Sequence, residues 1–253
     1  MMEFTYNGLV RYGFGFYNPN HAAALICFIM PFLWGWKRLT WLGYLLSALL
    51  LIPLAMTFSR TGVIVMVLEL FAFYLLSGRK NLKLLLSGIA VLILCAAIWG
   101  VLSRFTLDKA VTNRPQIWLA GLKIYAANPW GVGLGNSGLI ISTFLLDGIV
   151  CRTLVNSHLT LLTEAGMLIG FLWAGLIFYA LLLNGIRKPA VWCAFAGLTL
   201  SAFCASVFDW PVLFDFRTFG ELGTVNFLLS WVLLLSYLGV LFYLAWGKIN
   251  RKR

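Results

Sequence analysis

A histidine and a glutamate stand at the head of a long apolar run, LVNSHLTLLTEAGMLIG (154–170): His158 and Glu164. Ionisable side chains are costly in a hydrophobic medium, so their placement asks for a chemical reason. His158 comes first, where a neutral imidazole at the rim of a helix can take a proton near physiological pH and serve as a general base. Glu164 follows about 9 Å further along a helix, rotated by about 240°. The two do not share a face and are not a simple acid–base pair. The expected place of Glu164 is about one and a half turns deeper than His158, paired with a base on another helix, Arg60 being the best candidate. The plainer readings are a histidine that caps and a glutamate that packs.

Two arginines sit at comparable positions. Arg60 lies in the turn FSRT (58–61), and Arg114 opens the segment NRPQIWLAGLKIYAANP. Pro115 is placed to start a helix and Pro129 follows its end. Ile117, Trp118, Gly121, Leu122, Ile124 and Tyr125 line one face of it, and Gln116 and Lys123 lie together on another. Such an amphipathic helix lies on a membrane surface or under neighbouring helices. At its start the Arg114 guanidinium and the free N–H groups of the first turn point into one region, which suits a phosphate oxyanion. Pairing of Arg114 with Asp108 is the plainer alternative. The following NPWGVGLGNSG lacks the βαβ context of a dinucleotide fingerprint. It reads either as a phosphate-cradling loop or as a glycine-rich turn that passes close to its neighbours. Glu69, alone among apolar residues, is the one feature that favours a proton-coupled transporter.

The elements that position these groups are membrane helices. The chain of 253 residues is 62% hydrophobic and only 11% charged, with mean hydropathy +0.93; a soluble domain has about 25% charged residues. Seven spans are expected, at about 21–36, 41–57, 61–77, 84–102, 159–183, 190–207 and 225–246. The fold class is all-α: a polytopic integral membrane protein of one domain, 1–253. A long extracytoplasmic loop covers 103–158 and carries the amphipathic helix at 114–128. WKR, GRKNLK, IRK and the tail KINRKR hold eleven of the 19 basic residues and no acid. All four fall on one side of the seven spans, which the positive-inside rule assigns to the cytoplasm. The net charge of +11 is therefore mostly topology. Short membrane flanks do not make the basic stripe of a nucleic-acid binder. The five cysteines have neither a disulfide framework nor metal-ligand spacing.

The order GFYNPNHAA, FSRTG, RPQIWLAGLKIYAANPWGVGLGN, NSHLTLLTEAGMLIG resembles the O-antigen ligase and O-antigen polymerase superfamily, bacterial membrane glycosyltransferases of the GT-C type. The resemblance runs from about residue 13 to 185. It implies transfer or polymerisation of a glycan carried on undecaprenyl diphosphate. The acceptor would be a hydroxyl of another glycan or lipid, and the active face the periplasmic side of the inner membrane. Neither a cofactor nor a metal is implied. His158 matches the histidine that activates the acceptor hydroxyl, and Arg60 and Arg114 match the arginines associated with the lipid diphosphate. Gln116 and Asn20 join them as expected donor-binding residues, and Glu164 as an orienting one. Family members usually have several spans ahead of NPN. That raises the expectation of a truncated or split member, with a companion membrane protein or self-association covering its open side. A transporter or flippase of lipid-linked sugars, or an inactive accessory remnant of the enzyme, are the alternatives.

Overall fold

The computed structural model of the chain describes residues 3–6, 9–14, 16, 18–36, 40–77, 113–141, 154–184, 188–205, 207–208 and 224–249. The expected span 84–102, Asp108 and all of 209–221 lie outside the described residues. A short antiparallel hairpin comes first, β1 (Glu3–Tyr6) against β2 (Leu9–Tyr12), with Glu3 opposite Tyr12. The remaining elements are helices: α1 (Pro19–Trp34), α2 (Thr40–Met56), α3 (Arg60–Leu76), α4 (Asn113–Ala127), α5 (Ser137–Ile141), α6 (Ser157–Asn184), α7 (Pro189–Cys204) and α8 (Thr224–Ile249). Helices thus occur at six of the seven expected spans and at the expected loop helix.

Local signals start these helices. The Asn18 carboxamide accepts the Asn20 amide N–H at 2.9 Å, and Pro19 occupies the first helical position of α1. Both satisfy or remove donors that a helix N-terminus leaves unpaired. Ser59 caps α3 in the same way, its hydroxyl accepting from the Gly62 N–H at 3.1 Å. Pro31 and Pro53 fall in the last turns of α1 and α2.

Helix α7 is central, packed against α1, α3, α6 and α8. One apolar cluster joins α1, α3 and α7 around Cys27, Met30, Met66 and Phe73; another joins α6, α7 and α8 around Phe195, Leu198 and Tyr237. Outward faces are apolar as well. Trp41, Leu45, Leu49 and Ile52 are exposed along α2, and Ile64, Leu68, Phe71 and Leu75 along α3. A water-facing helix normally turns polar residues outward. Ser157–Leu182 is long and apolar enough to cross a membrane, by length and composition; Pro19–Trp34, Thr40–Met56, Pro189–Cys204 and Leu228–Leu244 are apolar but shorter.

The expectation of one continuous span over 159–183 is corrected. Gly166 has φ 83° and ψ 177°, outside the helical region. Trp173 Nε1 nevertheless lies 3.0 Å from His158 Nδ1, although 15 residues of straight helix cover about 22 Å. A Cβ on Gly170 would lie 3.2 Å from Leu162 Cα, across what would be about 12 Å of straight helix. The chain therefore doubles back at Gly166. A first arm, 157–165, runs antiparallel to a second, 167–184, and Gly170 lies against Leu162 between them. Only the second arm, about 27 Å long, approaches the length of a span.

Candidate functional site

The helix break is stabilised from outside. At a sharp bend the carbonyls before it lose their helical donors and must find others. Here Thr163 O accepts from Val132 N–H and Glu164 O from Gly133 N–H, both at 3.0 Å, and Met167 N–H donates to Pro129 O at 2.8 Å. Gly131 and Gly166 stack backbone on backbone: a Cβ on Gly131 would lie 2.5 Å from Glu164 O, and one on Gly166 would collide with the Trp130 carbonyl. The glycine-rich segment is thus a strip docked on the bend, the plainer of its two readings.

Its donors already hold a carboxyl group of the chain's own. The Glu164 carboxylate accepts from the Ser137 hydroxyl at 2.6 Å and from the Ser137 N–H at 3.3 Å, and also from the Gly135 N–H. The expected pairing of Glu164 with Arg60 is thereby corrected: Glu164 pins the glycine strip. The expected depth order changes too, because Glu164 is beside the bend and His158 lies at the far end of the short arm, level with Trp173. Ser137 carried no sequence signal beyond its place after the glycines.

Glu164 is 2% exposed, so this contact has a measurable value. Glu164→Ala should cost about 1–3 kcal/mol by leaving buried donors of Ser137 without an acceptor. Glu164→Gln should cost less, because its amide oxygen can still accept. Thermal unfolding of the two variants in lipid nanodiscs compares them. Equal losses would assign the effect to charge rather than to the hydrogen bonds.

His158 belongs to a network between the arms of α6 and its neighbours. Asn156 caps the short arm, accepting from the His158 and Leu159 N–H groups at 3.0 Å each. The indole N–H of Trp173 reaches His158 Nδ1 at 3.0 Å, and His158 Nε2 lies 3.2 Å from Thr199 O. Tyr237 stands over the same place, 5.6 Å from the Trp173 ring centroid, with its hydroxyl 3.0 Å from Thr199 Oγ1.

Arg114 reaches the end of the same helix α7. Its Nη1 donates to Cys204 O at 2.7 Å; a helix C-terminus attracts cations. Thr199 and Cys204 are about 7.5 Å apart along α7. The neighbour of His158, Ser157, accepts from Phe208 N–H at 2.9 Å just past that end. Burial lowers the Arg114 pKa from the ordinary arginine value, and the nearby Arg60 guanidinium adds to the lowering. Among the described residues no carboxylate pairs with Arg114. Arg60 begins α3 directly after Ser59, whose hydroxyl donates to Asn20 Oδ1 at 2.8 Å. Asn20 is therefore tied to the arginine turn. Gln116 is exposed on α4, and among the described residues no hydrogen bond joins it to the other candidate site residues. On α4, Ile117, Ala120 and Ile124 are buried against Leu154 and Ile141, whereas Leu119 and Leu122 are exposed. The inward face is therefore shifted from the expected one, which included Leu122.

Backbone strain marks both segments. Phe58, before Ser59–Arg60, has φ 47°, and Val155, before Asn156–Ser157–His158, has φ 52°. Positive φ is unfavourable for bulky and β-branched residues, and such strain concentrates at functional sites. Glu69 lies elsewhere, about 13 Å along α3 from Arg60. It is buried between α3 and α7 against Gly197, with no hydrogen-bond partner among the described residues.

Residues 45–149 match the family model described as O-antigen ligase. This supports the resemblance drawn from the four motifs, and the proteins of that family are membrane proteins. The match points to glycan transfer in the synthesis of cell-surface polysaccharide. No curated protein and no solved structure matches the chain.

Proposed function

Starting from the similarity of residues 45–149 to the O-antigen ligases, we propose that this chain is a polytopic membrane glycosyltransferase. It moves a glycan from a polyprenyl-diphosphate carrier to a hydroxyl acceptor at the extracytoplasmic face. The observation that carries the reading is Arg114 at the end of α7, close enough to Arg60 for the two charges to interact, on the same helix whose Thr199 carbonyl engages His158. Two guanidinium groups, with no carboxylate on Arg114 among the described residues, suit a doubly charged diphosphate. As the anomeric C–O bond breaks, negative charge grows on the departing diphosphate, and fixed cations stabilise that growth.

The membrane frame is part of the proposal. The exposed apolar faces of α2 and α3 and the basic loops support it. In this frame GIRK (185–188) is cytoplasmic and the Gly166 bend lies near the opposite surface. His158 is then recessed about 10 Å beneath that surface, where water is scarce and a leaving group needs protein charges. The glycine strip and α4 cover it from the extracytoplasmic side.

The test is transfer by the purified chain in nanodiscs from an undecaprenyl-diphosphate oligosaccharide to a glycolipid acceptor. Arg114→Lys and Arg60→Lys should each lose about tenfold to a hundredfold in rate, nearly as much as the alanine variants. A point charge does not reproduce a planar fork, and a charge-assisted contact is worth about 1.5–3 kcal/mol. Lysine variants with full activity would remove diphosphate clamping. A wild-type chain that needs a proton gradient and moves donor across the bilayer unchanged would make it a transporter instead.

A further inference from the structure

His158 has two ring nitrogens, and its partners decide which carries the proton. An indole N–H can only donate, so His158 Nδ1 must be the acceptor toward Trp173 at 3.0 Å. A backbone carbonyl can only accept, so Nε2 must carry the hydrogen toward Thr199 O at 3.2 Å. The imidazole is therefore the neutral Nε2–H tautomer. Its one basic lone pair, on Nδ1, is covered by the Trp173 indole. Trp173 packs at a tilt against Tyr237, and Tyr237 holds Thr199 by its hydroxyl. The ring that covers Nδ1 and the peptide that fixes Nε2 thus belong to one packed unit.

We propose that His158 Nδ1 is the acceptor subsite and that the Trp173 N–H occupies the place of the acceptor's hydroxyl until substrate arrives. The inference rests on the transfer reading above and adds which atom reacts and which residue guards it. A hydroxyl O–H entering beside Nδ1 presents the donor that the indole supplies, so one hydrogen bond replaces another. In the transfer step the hydroxyl proton passes to Nδ1 while the hydroxyl oxygen forms the new bond to the anomeric carbon. The anomeric C–O bond to phosphate breaks, and its electron pair leaves on the polyprenyl diphosphate. The resulting imidazolium keeps its Nε2–H on Thr199 O, which stabilises the charge. Thr199 and Trp173 are positioning residues; His158 is the catalytic one. Until the indole moves, His158 Nδ1 is not available to activate water, which would protect the donor from hydrolysis.

The experiment is 15N NMR of the full chain, histidine- and tryptophan-labelled, in nanodiscs, with octyl β-D-glucoside as the hydroxyl probe. The two histidines are distinguished by a His158→Gln sample. His158 should show a protonated Nε2 and an unprotonated Nδ1. Adding the probe should shift Nδ1 and move the Trp173 indole resonance, which a Trp173→Phe sample identifies. Trp173→Phe keeps an aromatic ring against Tyr237 and removes only the competing donor. It should bind the probe about two- to tenfold more tightly, the equivalent of one neutral hydrogen bond. A protonated Nδ1, resonances unmoved by the probe, or unchanged or weaker probe binding in Trp173→Phe would each overturn the proposal. Transfer is read separately on the wild-type chain. Absence of transfer sinks the enzymatic reading, whereas these spectra decide the subsite.

Discussion

His158→Gln should leave the protein folded and remove most of its transfer activity, by about 10²–10⁴-fold, the usual contribution of a general base. Glutamine is the informative replacement. Its side-chain oxygen can accept the Trp173 N–H and its NH₂ can donate to Thr199 O, so both contacts of the imidazole have a counterpart. It has no basic nitrogen. Alanine would remove the base and also leave the Trp173 N–H without its acceptor, mixing a stability loss of about 1–3 kcal/mol with the catalytic one. Donor affinity should stay near the wild-type value in His158→Gln, because Arg60 and Arg114 are untouched. The measurements are thermal unfolding, binding of the undecaprenyl-diphosphate donor and single-turnover rate on one preparation. A glutamine variant with near-normal turnover would reduce His158 to a tie between α6 and α7. Lost donor binding with an unchanged rate at saturation would make it a donor ligand.

Gly166→Ala should be the most damaging small substitution in the described part of the chain. Its φ of 83° and ψ of 177° lie in a region open essentially to glycine, at a backbone cost of about 1–3 kcal/mol for other residues. The added methyl would also meet the Trp130 carbonyl, pushing the glycine strip off the bend. That motion would break three backbone hydrogen bonds, from Val132, Gly133 and Met167. A total above about 4 kcal/mol is expected, in the range reserved for special backbone positions, and the melting point should fall by about 10 °C or more. Gly175 is the control. It lies on the same long arm, where a Cβ meets nothing within 4 Å. Gly175→Ala should be neutral or stabilising by about 0.5–1 kcal/mol, the ordinary gain of alanine over glycine in a helix. Equal melting points for the two variants would mean that α6 does not fold back.

What could be read in the sequence was what neighbours along the chain decide. The positions of α1, α2, α3, α4, α7 and α8 follow from apolar runs and, for α4, from Pro115 at the helix start; each signal is local to its own element. The residue types for the chemistry, His158 with Arg60 and Arg114, were legible for the same reason, since a base and planar cations are uncommon in such apolar surroundings. The tertiary structure alone decided how α6 runs. A helix breaks where the freed carbonyls find other donors, and here those donors sit about thirty residues earlier, on Val132 and Gly133. Helical periodicity continues through Gly166 unchanged, so the sequence alone is consistent with one straight span, in which Glu164 would lie deeper than His158. The bend places Glu164 on Ser137 instead of an arginine. It also brings Trp173 onto His158, because folding the two arms together makes neighbours of residues that a straight helix would hold about 22 Å apart.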